Sequence, residues 1–265
     1  MEATRALAEH AAITAADHVL DVGGGLGGSA RLLAHVSGCR VTVLDLTEAY
    51  CRAGERLTAW VGLSDRVQFQ HGNALNMPFD DGSFDFAWMQ HSSMNIAEKA
   101  CLYAEIQRVL RPGGRLALYE VVAGQTDQPH YPAFWARSAA MSFLVTADEL
   151  RTIVANAGFH ERHWRDTSTW ALEWLAARRR ALEAAGETQL AGLPLVLGSA
   201  FGAMGAESCA QPSGRAHSDR RRGFHASVSP RTRSKTSHEK ASHVGHSSHR
   251  KHRRGHRDAV AQPLY

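Results

Sequence analysis

Apolar positions along the chain fall into short runs that alternate with helical repeats. His18 to Val22 is an apolar run that passes straight into glycines, which predicts a strand leading into a loop. Further strands are expected at Arg40 to Leu44 (ending on Asp45), Val67 to His71, Phe84 to Gln90, Arg115 to Val121 and Phe159 to Arg165. The Ala-rich stretch from Met1 to Ala15 reads as a helix, and another is expected from Ser29. Between Thr47 and Gly62, Ala53, Leu57, Trp60 and Val61 share one helical face and predict a helix packed on the sheet through it. Leu102, Ile106, Val109 and Leu110 repeat in the same way, and Arg111-Pro112-Gly113-Gly114 stops that helix. Thr146-Ala147-Asp148-Glu149 matches a capping box that opens a helix closing near Gly158, and a Trp- and Ala-rich helix runs to about Ala185. Strand and helix in regular alternation imply parallel strands joined by crossover helices, an α/β, doubly wound, mostly parallel sheet.

Charge divides the chain. Residues 211–265 hold 13 Lys/Arg against 3 Asp/Glu, and the preceding residues 17 against 23. Beyond Glu207 large apolar residues become too sparse to offset ordering entropy, so 207–265 is expected to be a disordered basic tail rich in Arg, Ser and His, after a domain over 1–206. His243, His246, His249, His252 and His256 recur every three or four residues, so a metal- or nucleic-acid-binding extension is one reading of the tail. Cys39, Cys51, Cys101 and Cys209 are scattered without CxxC pairing, which argues against a zinc site or a disulfide framework and fits a reducing cytoplasm. No signal peptide is expected at Met1, and the uncharged stretch from Thr188 to Ala206 contains Pro194 and four glycines, unlike a membrane span.

The chemistry concentrates between the first strand and its helix, in Asp21-Val22-Gly23-Gly24-Gly25-Leu26-Gly27-Gly28. Glycines there permit a sharp turn and close approach of backbone to a ligand at the carboxyl edge of the sheet. Gly23, Gly25 and Gly28 also satisfy G-x-G-x-x-G, so an NAD-dependent oxidoreductase is the competing reading. Asp21 weighs against a pyrophosphate and in favour of a ligand bearing positive charge. Asp45, at the end of the second strand, is placed to accept from ribose hydroxyls in either case.

Val19 to Ala34, Gly72-Asn73-Ala74-Leu75-Asn76-Met77-Pro78-Phe79, Asp81-Gly82-Ser83-Phe84-Asp85 and Arg108-Val109-Leu110-Arg111-Pro112-Gly113-Gly114 resemble the successive motifs of class I S-adenosylmethionine-dependent methyltransferases. Gln90-His91, Met94-Asn95-Ile96 and His130-Tyr131-Pro132 are similar to small-molecule members near the sarcosine/dimethylglycine and ubiquinone/menaquinone C-methyltransferases. The resemblance implies a Rossmann-like fold and S-adenosyl-L-methionine as cofactor. It implies that Asp21, Gly23, Gly25 and Gly27 hold the methionine part, Asp45 and Leu46 the ribose, and Asn73 and Ala74 the adenine, with Gln90 facing the cofactor. Asn73 stands where many relatives have aspartate, so weaker adenine recognition is expected. His91 is the first candidate for a general base and Glu120 the second. His130 and Tyr131 are candidates for the acceptor pocket, and Trp135, Trp164, Trp170 and Trp174 for an aromatic wall around a cationic or planar acceptor. No Asn/Asp-Pro-Pro-aromatic string follows the fourth strand and no Pro-Cys occurs, so a small-molecule acceptor is expected rather than nucleic acid. The resemblance also implies residues ahead of the first helix and a seventh, antiparallel strand between strands five and six. Nothing after Ala206 is expected to supply that strand, and the abrupt change of composition is read as out-of-frame translation of a GC-rich gene.

Overall fold

The structure, a computed structural model, describes residues 2–124, 129, 131–185 and 222–230. Its elements follow the predicted order through α6: α1 (Glu2–Ala11), β1 (His18–Val22), α2 (Gly28–Ser37), β2 (Arg40–Asp45), α3 (Glu48–Trp60), β3 (Val67–His71), β4 (Phe84–Gln90), α4 (Lys99–Val109), β5 (Leu110–Val122), α5 (Ala147–Asn156), β6 (Phe159–Asp166) and α6 (Ser168–Ala185); a further strand, β7 (Arg222–Pro230), follows. The strands form one sheet in the order β3-β2-β1-β4-β5-β7-β6. β1 pairs in parallel with β2 and β4, β2 with β3, and β4 with β5. The Rossmann-like, doubly wound arrangement is therefore present.

The seventh strand corrects the sequence reading. Arg222–Pro230 lies antiparallel between β5 and β6, pairing Val122 to Leu116 on one side and Phe159 to Asp166 on the other. The expectation that nothing beyond residue 206 would supply this strand is thus overturned, and part of the stretch assigned to a disordered tail is ordered sheet. A strand with a pairing partner on both edges has its backbone groups satisfied by the ladder, so main-chain hydrogen bonds offset what a polar composition lacks. The remaining tail positions, including the five spaced histidines, lie outside the described residues, as do Thr188 to Ala206, Cys209 and His130.

Alternation along the strands builds a core on each face of the sheet. Leu20, Val22, Met89, Leu116 and Leu118 pack with Leu102 and Ile106 of α4 and Leu150 and Val154 of α5. Val19, Val41, Val43, Phe86 and Trp88 pack on the other face with Leu7 of α1 and Leu33 of α2. The face predicted for α3 differs from the observed one: Trp60 is 80% and Val61 60% exposed, while Cys51, Gly54 and Thr58 are buried. The Phe69 ring lies where a side chain on Gly54 would sit, so the small residues, not the large apolar ones, let α3 approach β3. The helix after β4 ends at Val109, before the Arg111–Gly114 stop expected of it, and β5 begins at Leu110 rather than Arg115, with a register shift against β4 between Phe84 and Phe86. At α5 the Thr146–Glu149 capping box is formed.

Candidate functional site

β1 and β4 are neighbours whose crossover connections leave on opposite faces, and the glycine loop sits at the carboxyl edge of the sheet beside that switch. Its path is fixed by the adjacent strand: Gly23 donates to the Leu44 carbonyl at 2.7 Å, and Gly25 donates to Asp45 Oδ2 at 2.8 Å. Asp45 Oδ1 accepts from the Thr47 amide at 2.8 Å, so one carboxylate ties the end of β2 to the loop and to the start of α3. Each oxygen keeps a lone pair for another donor.

Two glycines carry the requirement for the missing side chain. Gly23 has φ +69°, and a Cβ there would come within 2.6 Å of Ser92 Cβ. Gly25 has φ +56° and open space around the position of a Cβ, which is room for a ligand against bare backbone. Gly27 caps α2 in the left-handed conformation.

Asp21 is buried on the α2 side of β1, with Oδ2 closing against Gly24 and finding no hydrogen-bond partner among the described residues. Burial, and then the Asp45 carboxylate, raise its pKa to about 7, against which the Ala30 amide bonds to it. A carboxylate held this way is costly unless a positive charge adjoins it. Two carboxylates under a glycine loop with open space above therefore suit a cationic, hydroxyl-bearing ligand, which is the charge pattern of S-adenosylmethionine.

The other predicted residues are placed unequally. Gln90 ends β4, and its Oε1 accepts from Thr4 Oγ1 at 3.2 Å and Ser29 Oγ at 3.1 Å, which leaves its amide nitrogen to donate. Leu46 is 69% exposed, with its carbonyl 3.0 Å from His71 Nε2. Asn73 follows β3, where its Oδ1 accepts from the Leu75 amide at 2.9 Å, so the oxygen expected to meet adenine is already engaged in a local turn. Ala74 packs half-buried against the core. His91 lies one residue past β4 at φ +56°, a conformation uncommon outside glycine, with its amide donating to the Tyr119 carbonyl at 2.9 Å. Its ring meets Tyr119 edge-on at 4.9 Å between centroids. Desolvation lowers its pKa below the usual imidazole value, while the exposure of the residue lets water screen part of that effect, and the imidazole is neutral at pH 7.

The four tryptophans do not form a common wall. Trp170 and Trp174 are exposed on α6, Trp164 carries the Arg151 guanidinium over its ring at 5.2 Å, and Trp135 Nε1 donates to Ser142 Oγ at 3.0 Å. Trp135 belongs instead to a segment pinned beside the end of β4. Asn95 Nδ2 donates to the carbonyls of Trp135 at 2.7 Å and Met141 at 2.9 Å, and the Phe143 amide donates to the Met94 carbonyl at 2.8 Å. Sequence reasoning missed Thr4, Ser29 and Ser92, whose hydroxyls organise the site. Their contacts join residues far apart in the chain, and no local motif announces them.

Among the described residues no group of three or more His, Cys, Asp or Glu is arranged to hold a metal, and no helix is long and apolar enough to cross a membrane. Residues 20–118 match the model of a family described as a methyltransferase domain. The chain is 40% identical over 116 residues to the sterol 24-C-methyltransferase of Eremothecium gossypii, across 44% of this chain and 31% of that protein. It is 32% identical over 108 residues to the glycine/sarcosine/dimethylglycine N-methyltransferase of Actinopolyspora halophila, across 41% of this chain and 19% of that one. The match thus spans a third or less of these relatives' own length. In fold it resembles the crystal structure of the [4+2]-cyclase SpnF, at 25% identity and a TM-score of 0.67, over 86% of this chain and 80% of that one. The matched segment contains the glycine loop, Asp45, Asn73, Gln90 and His91, and it resembles a methyltransferase domain over that stretch.

Proposed function

We propose that the protein transfers a methyl group from S-adenosylmethionine to a small-molecule acceptor in the cytoplasm. The observation that carries this reading is the buried Asp21 carboxylate under an open glycine loop, beside Asp45 at the end of β2. When bound, S-adenosylmethionine supplies an electrophilic methyl on a sulfonium. Asp21, Gly23, Gly25 and Gly27 would hold its methionine part, Asp45 and Leu46 its ribose, and Ala74, with a weakened contribution from Asn73, its adenine. Gln90 offers its amide nitrogen to the same ligand. The chain's own contribution to the reaction is position: loop and strand ends would fix one partner, and the segment pinned by Asn95 beside the end of β4 would help to orient the other. His91, neutral at pH 7, is the group that would take a proton from an acceptor that must lose one. The three free cysteines among the described residues accord with a reducing compartment.

The fold alone does not decide the chemistry, since the solved structure it resembles is named a cyclase. A nicotinamide cofactor fits less well, because its pyrophosphate would lie over the loop beneath which Asp21 is buried. Calorimetric titration with S-adenosylmethionine, S-adenosylhomocysteine and NADH tests the assignment. Binding of the first two is expected, and preferential binding of NADH would overturn it. Incubation of a metabolite pool with a labelled methyl donor then identifies the acceptor.

A further inference from the structure

Beneath the end of β4 lies a buried polar cluster that the proposed chemistry does not use. Glu120 on β5 is 1% exposed, and Lys99, Ser93 and Tyr103 around it are likewise buried. Its Oε1 accepts from the consecutive amides of Ser92 at 3.3 Å and Ser93 at 3.2 Å. Lys99 Nζ donates to the Ser93 carbonyl at 2.8 Å and the Ile96 carbonyl at 2.9 Å, closing the same turn from the other side. Ser92 then reaches across the sheet edge, donating from Oγ to the Val22 carbonyl at 2.9 Å, and its Cβ fills the space that Gly23 leaves open. A chain of contacts therefore runs from Glu120 through Ser92 to the residues that open the glycine loop, and His91 is the residue directly before Ser92.

We propose that Glu120 is a positioning residue of the site: acting through Ser92 and Ser93, it sets the turn that carries His91 and supports the glycine loop at Val22 and Gly23. Glu120 is buried too deeply to meet an acceptor, so its effect is exerted through these neighbours rather than as a base. Burial raises its pKa to about 7, while the Ser93 and Ser92 amides and Lys99 favour its charged form. That the loop binds S-adenosylmethionine rests on the function proposed above; the mechanical link does not.

Hydrogen exchange followed at peptide level on the full chain reads the link without any ligand. Glu120→Ala leaves the Ser92 and Ser93 amides without their acceptor and the buried Lys99 ammonium without a neighbouring carboxylate, and exchange over 22–28 and 91–96 is expected to rise about tenfold or more, with β2 unchanged. Glu120→Gln retains an oxygen acceptor and is expected to restore most of the protection. Ser92→Ala keeps the Glu120 cluster intact and is expected to speed exchange over 22–28 while sparing 93–96. The double variant Glu120→Ala/Ser92→Ala is expected to lose no more protection at 22–28 than Glu120→Ala alone, because both act on one connection. Unchanged exchange at 22–28 in Glu120→Ala, failure of Glu120→Gln to rescue, or a rise spread evenly over the whole sheet would each overturn the proposal. S-adenosylhomocysteine titrated into the same proteins is expected to bind about tenfold more weakly to Glu120→Ala than to the parent. Absence of binding to the parent would instead defeat the proposed function and leave the exchange result to judge Glu120.

Discussion

At the scale of single residues, Asp21 makes opposite demands on the free and bound protein. Its folded pKa of about 7 lies above the value near 4 of an unfolded aspartate, so between those pH values the folded state holds the extra proton. This group's contribution to stability is therefore fully present below about pH 4 and is lost as pH rises towards 7. Asp21→Asn removes the loss: the ligand-free variant is expected to be more stable than the parent by about 1–3 kcal/mol at pH 8 and indistinguishable near pH 4. Chemical denaturation at the two pH values checks this, and equal differences at both would contradict it. A cationic ligand favours the charged carboxylate, so affinity for S-adenosylmethionine is expected to rise with pH through about 7 in the parent and to lose that dependence in Asp21→Asn. His91 separates binding from turnover. His91→Gln is expected to leave S-adenosylhomocysteine affinity within about twofold while slowing transfer to a proton-losing acceptor about 100-fold or more. In the parent at saturating S-adenosylmethionine, the rate should fall only as pH drops below 6.5, since desolvation lowers the imidazole pKa.

At the scale of elements, continuous apolar runs made the strands readable. β1 and β4 have the boundaries that pattern predicts, because strands covered on both faces need apolar residues at nearly every position. The site was legible where it depends on strand ends: Asp21 and Asp45 stand at the carboxyl edge because the strands end there. It was not legible where it depends on tertiary neighbours, as with Thr4 and Ser29 converging on Gln90, 86 and 61 residues away. α3 shows how hydrophobicity can mislead. Trp60 and Val61 scored as its inner face, yet the approach to β3 is governed by the smallness of Cys51, Gly54 and Thr58. Gly54→Ala tests that account, since its methyl would meet the Phe69 ring. We expect a cost of about 1–3 kcal/mol from overpacking, read as a lower denaturant midpoint with unchanged slope. An unaltered midpoint would show that Phe69 can move aside freely.

At the scale of the whole molecule, the sheet depends on a strand that composition conceals. Phe224, Ala226, Val228 and Pro230 alternate with polar residues in the manner of a strand, but the surrounding Arg, Ser and His obscure the pattern. The pairing gives that strand its weight: β7 is in register with seven residues of β5 and seven of β6. It is also what joins β6 to the rest of the sheet. Ending the chain after Ala206 would leave β5 and β6 with unpaired facing edges, a ladder of donors and acceptors open to other chains. Such a truncated protein is expected to form higher oligomers on size-exclusion chromatography and to lose exchange protection along β5 from Leu116 to Val122, while β1, β2 and β3 on the far side retain theirs. Ending it after Pro230 keeps every strand pairing among the described residues and is expected to preserve the parent's elution and protection. If both truncations behaved as the parent does, the sheet would have to hold β6 by some means other than β7. The pair of truncations thus asks whether the polar segment after residue 206 is appended to the fold or completes it.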